Sequence, residues 1–159
     1  MKVIVIGPRG KMGKLITQVA AERDDMELVA GVAPAGRDYV GQDLGMVALI
    51  GRNLGVPVVD DLAAVIDDCD VIIDFSTREN ALKVLDLAVR HGKALVCGTT
   101  GFSEEEFARF KEAAKTIPML YAANTSKLVN IMNKLLEMVT KTLGEDADIE
   151  ILEMHDQWK

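Results

Sequence analysis

Residues 2–25, KVIVIGPRGKMGKLITQVAAERDD, decide the fold of this chain. An apolar run of β-forming residues leads directly into the glycine-rich segment GPRGKMG, residues 7–13, and an amphipathic helix pattern follows from Lys11 to about Arg23. Residues 26–32, MELVAGV, then have the apolar and β-branched character of a second strand. The opening stretch therefore predicts a strand, a helix and a parallel strand, with a glycine-rich turn after the first strand.

The three glycines of this turn have the spacing that a phosphate site needs. Gly7 allows a sharp turn, Gly10 allows the backbone to approach a phosphate, and Gly13 allows close packing of helix on strand. The spacing G-x-x-G-x-x-G differs by one position from the usual dinucleotide fingerprint, so the glycines alone are a weak signal. Their place at the first strand-to-helix junction favours a dinucleotide over a purely structural turn, with its pyrophosphate on the helix N-terminus near Met12.

Strand and helix patterns continue to alternate along the next hundred residues. The predicted elements are VPVV at 56–59, a helix from near Asp61, DVIIDF at 70–75, a helix from about Thr77 to His91, KALVCGT at 93–99, a helix with Ser103 and Glu106 as a capping box, and PMLYAA at 118–123. Residues 34–55 have only a weak pattern. Continuous apolar strands separated by helices predict a parallel sheet covered on both faces, which is a Rossmann-type, doubly wound α/β domain over residues 1–125.

The pattern changes after residue 125. A long helix is predicted from about Lys127 to Leu143, capped by Ser126 and ended by Gly144. Residues 148–159, DIEILEMHDQWK, then begin a strand. Residues 126–159 are therefore expected to start a second domain.

Composition narrows the class of partner. The net charge of −7 disfavours a nucleic-acid binder, which normally has a basic face. No membrane-spanning run and no secretory signal pattern are present, so we expect a cytoplasmic protein with a small-molecule partner, no nucleic acid and no membrane. Cys69 and Cys97 lack metal-ligand spacing and are expected to be buried free thiols, and no metal site is predicted.

The residues around the second strand bear on which dinucleotide binds. An acidic residue usually follows this strand when the cofactor has only ribose hydroxyls, but Ala33 and Ala35 occupy that region. The nearby cations Arg9, Lys11 and Arg37 favour the 2′-phosphate of NADPH. NADH remains possible, with Asp38 binding the ribose and with Arg37 and Lys11 as solvated surface charges.

Five segments together carry a resemblance to a known family. They are GPRGKMG at 7–13, DFST at 74–77, GTTG at 98–101, AANTSKLVN at 122–130 and DIEILEMHDQWK at 148–159. In this order and at these intervals they resemble the 4-hydroxy-tetrahydrodipicolinate reductases, formerly called dihydrodipicolinate reductases. The resemblance implies an NAD(P)H-dependent reductase of lysine and diaminopimelate biosynthesis, which acts on a cyclic dicarboxylate and forms homo-oligomers. It also implies that residues 126–159 start an α+β domain for substrate binding and oligomerisation.

The resemblance also implies residue roles. Two groups would border the nicotinamide: the strand end at Phe75 and Ser76, and the segment Gly98, Thr99, Thr100 and Gly101, with Ala122 and Asn124 completing the cofactor site. His155 would be the proton donor, because reduction of a C=N or conjugated C=C bond needs an acid with a pKa near neutral. Lys159 would neutralise a substrate carboxylate or developing negative charge.

Three departures from the family pattern leave alternatives open. Asp156 stands where the family has a second histidine, and Lys127 and Leu128 replace smaller residues, one of them a glycine. The sequence also ends before the family's DAPSGT segment, which grips a substrate carboxylate. Two alternative hypotheses therefore remain: an NADP(H)-binding module or sensor without turnover, and a reductase of another cyclic imine.

Overall fold

The computed structural model describes residues 1–152 and 154. The chain divides into two compact units, Met1–Ala123 and a second unit that begins at Asn124. Three residues that the sequence analysis discusses, His155, Asp156 and Lys159, lie outside the described residues.

The first unit alternates strands and helices. Its strands are β1 Lys2–Ile6, β2 Glu27–Val32, β3 Val58–Val59, β4 Val71–Asp74, β5 Ala94–Cys97 and β6 Met119–Tyr121. Its helices are α1 Lys11–Ala21, α2 Leu44–Val47, α3 Arg78–His91 and α4 Glu104–Ala113.

The six strands form one parallel sheet in the order β3-β2-β1-β4-β5-β6. This order confirms the predicted Rossmann-type α/β fold. The strand order reverses between β1 and β4, and open parallel sheets bind ligands beyond the carboxyl ends of the strands at such a reversal.

The centre of the sheet is buried on both faces. Val3, Ile4 and Val5 of β1 have no exposed surface. Ile4 belongs to an apolar cluster that includes residues of α3 and α4, whereas Val3 and Val5 pack with Ile16 of α1 in a second cluster. Because each face of β1 meets apolar side chains, the strand is a continuous apolar run rather than an alternating one.

Local capping signals set where the helices begin. The Ser103 hydroxyl accepts the N–H of Glu106 while the Glu106 carboxylate accepts the N–H of Ser103, which confirms the predicted capping box. The Thr77 hydroxyl caps α3 by accepting the N–H of Asn80.

The helix predicted to begin near Asp61 is wrong. Only a 3₁₀ turn forms there, over Ile66–Asp68. The carbonyl of Leu62 accepts the N–H groups of both Val65 and Ile66. Leu62 and Ile66 are both buried, and the connection between β3 and β4 is limited to residues 60–70. The two aspartates that end the segment also oppose a longer helix, because carboxylates are unfavourable near a helix C-terminus.

The weakly patterned segment 34–55 is organised by one side chain. The Asp43 carboxylate accepts the backbone N–H groups of Gly45, Leu54, Gly55 and Val56 at 2.8 to 3.3 Å. It thereby caps α2 and also closes the loop that leads to β3.

The second unit contains α5, Lys127–Leu143, with Ser126 as its N-cap as predicted. No residue of α5 is buried, although its pattern is strongly amphipathic. The strand predicted from residue 148 is wrong for the described residues 148–152, which are not in a strand. A strand needs hydrogen bonds to a neighbouring strand, and within residues 1–152 and 154 none pairs with this segment. No helix in the described part of the chain has the length and apolar character needed to cross a membrane.

Candidate functional site

A cleft of about 700 Å³ opens at the carboxyl ends of β1, β2 and β4. Its lining includes Gly7 and Gly10 after β1, Ala33 after β2, and Phe75 and Ser76 after β4. The cleft therefore lies at the reversal of strand order, where the fold provides for a ligand.

The glycine turn needs glycine at two of its three positions. Gly7 has φ +69°, a left-handed conformation that other residues adopt only with strain. A Cβ on Gly13 would lie 2.1 Å from the carbonyl oxygen of Gly7, so any side chain there would push α1 away from the turn. A Cβ on Gly10 would meet the same oxygen at 3.3 Å, a tight contact that leaves its outer side open.

The N-terminus of α1 faces this turn without a side-chain cap. Gly10 is the N-cap residue and makes no capping hydrogen bond, and the first turn, with Lys11 and Met12, has no acidic residue. Lys11 and Met12 are exposed. The partial positive charge of the helix end is thus available to an anion.

One of the predicted cations, Arg9, lies beside Asp38, the carboxylate that could bind the ribose of NADH. Arg9 donates to Asp38 at 2.9 Å, and its guanidinium lies 4.9 Å from the centre of the Tyr39 ring. Arg37, on the same loop as Asp38, is exposed. The structure therefore brings a cation and an acid together at the end of β2, where the sequence suggested a choice between them.

The turn after β4, which lines the cleft, packs against the turn after β5, whose residues 98–101 do not line it. The Phe75 ring lies on the backbone of Gly98, where an added Cβ would come within 2.0 Å of a ring atom. Thr99 is buried, Thr100 is exposed and Gly101 has φ +87°. The motifs at 74–77 and 98–101 are thus neighbours in space because β4 pairs with β5.

Asp74 was not singled out as a site residue by the sequence analysis. It is fully buried at the end of β4, and its Oδ1 accepts the N–H of Ser76 at 2.9 Å. Burial raises the pKa of its carboxyl above the ordinary value, although the hydrogen bonds from Ser76 act in the opposite direction. The sequence signal was an acidic residue ending an otherwise apolar strand, VIID.

The two cysteines are free and buried, as predicted. Burial raises the pKa of the Cys97 thiol to about 11, so the thiol is protonated at neutral pH and is a poor nucleophile. Cys69 also has a raised pKa, and burial is again the main cause.

Ala122 and Asn124 have backbone and capping contacts. The N–H of Ala122 donates to the carbonyl of Cys97 and extends the pairing of β6 with β5. In the second unit, the Asn124 side chain accepts the N–H of Ser126 at 2.8 Å, and Asn130 donates to the carbonyls of Asn124 and Ser126. Leu128 is exposed on the first turn of α5.

Comparison with known proteins assigns the family. A family model described as "Dihydrodipicolinate reductase, N-terminus" matches residues 1–125. The chain belongs to the dihydrodipicolinate reductase family. This confirms the resemblance inferred from the five sequence segments.

Relatives in this family align with nearly all of the chain. The 4-hydroxy-tetrahydrodipicolinate reductase of Geobacter metallireducens is 45% identical over 159 residues, which are 100% of this chain and 59% of that protein. That of Hahella chejuensis is 41% identical over 158 residues, again 59% of its length. The chain therefore spans about three fifths of the length of these relatives.

A solved structure of the family has the same fold. The dipicolinate-bound dihydrodipicolinate reductase from Paenisporosarcina sp. TG-14 matches with a TM-score of 0.72 and 26% identity, over 88% of this chain and 53% of that one.

Proposed function

We propose that this chain binds NAD(P)H in its first unit and serves the reduction of a cyclic dicarboxylate in lysine and diaminopimelate biosynthesis. The observation that carries the proposal is the glycine turn, residues 7–13, which places an uncapped helix N-terminus at the reversal of strand order in a member of this family. Glycine at position 13 lets α1 pack against the Gly7 carbonyl, and glycine at position 98 lets the Phe75 ring pack against the turn after β5.

The proposed pyrophosphate site is the turn itself. The first N–H groups of α1 have no intrahelical acceptor, and an anion at Gly10 would accept them. Among the other residues that line the cleft, Leu62, Val84 and Leu87 offer apolar surface for a flat base.

The proposed preference is for NADPH. Arg9, Lys11 and Arg37 would approach the 2′-phosphate, with the Arg9 guanidinium held in place by Tyr39 and Asp38. Asp38 would accept a ribose hydroxyl when NADH binds instead. The pairing of Arg9 with Asp38 thus supports a site that prefers NADPH and still accepts NADH.

The reduced nicotinamide, when bound, supplies the hydride. The proposal gives Phe75 and the segment 98–101 the task of orienting the ring, and orientation is a large part of the catalytic advantage of such sites. His155 would donate a proton to the substrate, and Lys159 would neutralise a carboxylate of the substrate. The dicarboxylate in the Paenisporosarcina structure, dipicolinate, is a ligand of the kind this proposal requires.

Titration of the purified chain with NADPH, followed by nicotinamide fluorescence, tests the proposal. We expect saturable binding, weaker binding by Gly10→Ala, and none by Gly10→Val, because the added atoms obstruct the approach of a phosphate. Gly10→Ala is the matched control for folding, since its Cβ meets only the Gly7 carbonyl at 3.3 Å. Wild-type chain that does not bind NADPH, or Gly10→Val that binds as wild type does, contradicts the proposal.

A second pair of variants tests the cofactor preference. Arg37→Ala should bring the affinities for NADPH and NADH closer by about 1 to 2 kcal/mol, the usual range for a charge-assisted hydrogen bond. Asp38→Asn should move them apart, because it removes the proposed ribose acceptor while leaving the Arg9 cation. Equal affinities for both cofactors in the wild-type chain at low salt would overturn the preference.

A further inference from the structure

Asp74 connects the turn after β4, which lines the cleft, with the turn after β5. In the sheet it lies between Ile6 of β1 and Cys97 of β5. Its side-chain Oδ1 accepts the N–H of Ser76, and its carbonyl oxygen accepts the N–H of Gly98. One residue therefore supports both the turn after β4 and the turn after β5.

The turn after β4 has further fixed contacts. The Ser76 hydroxyl accepts the side-chain amide of Asn80 at 3.0 Å, and the Thr77 hydroxyl caps α3. The Phe75 ring packs against Gly98, where an added Cβ would lie 2.0 Å from a ring atom. The ring position thus depends on the path of residues 75–77, which the Asp74 carboxyl holds through Ser76.

The second carboxyl oxygen of Asp74 is what makes this residue unusual. Asp74 has no exposed surface, and its Oδ2 has no hydrogen-bond partner among the residues the structure describes. Burying a carboxyl group without full hydrogen bonding costs stability, so a strand end that served only packing would favour an apolar residue. Cys97 on β5 is the titratable group beside it, and the neighbouring position on β1, Ile6, is apolar. The pKa of the Asp74 carboxyl is raised by burial, which favours the neutral acid.

We propose that Asp74 is a positioning residue for nicotinamide binding, which acts through the Ser76 N–H to hold the Phe75 ring against Gly98. The inference rests on the proposed function, since it assigns a task within the same cofactor site. What the task requires is an acceptor oxygen of the right shape, not a negative charge. An amide should therefore replace the carboxyl group, whereas a methyl group should not.

Two ligands and two variants test this assignment. NADPH contains the nicotinamide, whereas adenosine 2′,5′-bisphosphate keeps the adenosine and 2′-phosphate but lacks it. We expect Asp74→Ala to bind NADPH about tenfold more weakly than wild type and to bind the bisphosphate within twofold of it. Asp74→Asn, which keeps an acceptor for the Ser76 N–H, should bind both ligands within about twofold of wild type. A general loss of structure would weaken the binding of both ligands.

The outcomes separate the two proposals. Wild-type chain that fails to bind NADPH overturns the proposed function itself. If wild type binds, this inference is overturned by Asp74→Ala binding NADPH normally, by its losing both ligands equally, or by Asp74→Asn being as weak as Asp74→Ala. Should Asp74→Ala fail to fold, amide hydrogen exchange of Ser76 decides: protection in both wild type and Asp74→Asn supports the role, and exchange at the rate of an open loop overturns it.

Discussion

Asp43 and Asp74 are two acidic residues near strand ends of the same sheet, and their surroundings are opposite. Asp43 is partly exposed and receives four backbone N–H groups, whereas Asp74 is fully buried and receives one. Burial alone would raise the pKa of Asp43, but the four N–H groups together lower it below the ordinary value. For Asp74 burial prevails, and its pKa is raised. Since both residues are aspartates, the balance between burial and the number of N–H donors decides the direction in which the pKa shifts.

Asp43→Ala is expected to have the largest effect on the free energy of unfolding. Removing an ionised acceptor of four N–H groups, which also caps α2, should lower the free energy of unfolding by about 3 kcal/mol. Asp43→Asn is the matched control: its amide oxygen can accept only some of these groups, so about half the loss is expected. Chemical denaturation at pH 7 measures both, and equal stability of Asp43→Ala and wild type would show that water replaces the carboxylate.

The two aspartates should also give opposite pH dependence. The pKa of Asp43 is lower in the folded than in the unfolded state. Its contribution to the free energy of unfolding is therefore present above the unfolded-state pKa, near 4, and is lost as the pH falls through the folded-state pKa. The raised pKa of Asp74 means that the folded state binds the proton more tightly, so stability falls as the pH rises from about 4 through the folded value.

Asp74→Asn is expected to change the free energy of unfolding less than Asp43→Ala does. At neutral pH it should raise the free energy of unfolding by on the order of 1 kcal/mol, because the amide never carries the charge that burial opposes. The gain should vanish at pH 3, where the wild-type carboxyl is protonated in both states. Denaturation of the two proteins at pH 3 and pH 7 measures this; a variant less stable than wild type at pH 7 would show that the carboxylate, rather than the acid, is the native form.

The smallest expected effect lies within the Asp43 loop, at Leu49. This residue ends α2 with φ +60°, while the N–H of Ile50 donates to the carbonyl of Gly45. Glycine is the residue that favours this helix-ending conformation, and the Leu49 side chain is 68% exposed. Leu49→Gly should therefore stabilise the protein by about 0.5 to 1 kcal/mol in thermal unfolding. A lower melting temperature would show that the leucine side chain makes a contact worth more than the strain.

Features that depend on near neighbours in the chain were predictable. The glycine turn at 7–13, the Ser103 and Glu106 capping box and the apolar strands are defined by residues a few positions apart, and each was found where the sequence placed it. Two predictions from local pattern failed: the helix near Asp61, where Leu62 and Ile66 are buried around a 3₁₀ turn, and the strand at 148–152, which has no partner strand among the described residues.

The alternation of strands and helices, the glycine-rich turn and the family could be predicted from the sequence, because these are carried by spacing along the chain. Which distant groups meet depends on the tertiary structure. Asp38 pairs with Arg9 across 29 positions, and Asp43 gathers N–H groups up to 13 positions away. Asp74 is buried because β4 lies between β1 and β5. Burial and hydrogen-bond partners arise from the packing of the whole sheet, and these set the direction in which the pKa of each carboxyl group shifts.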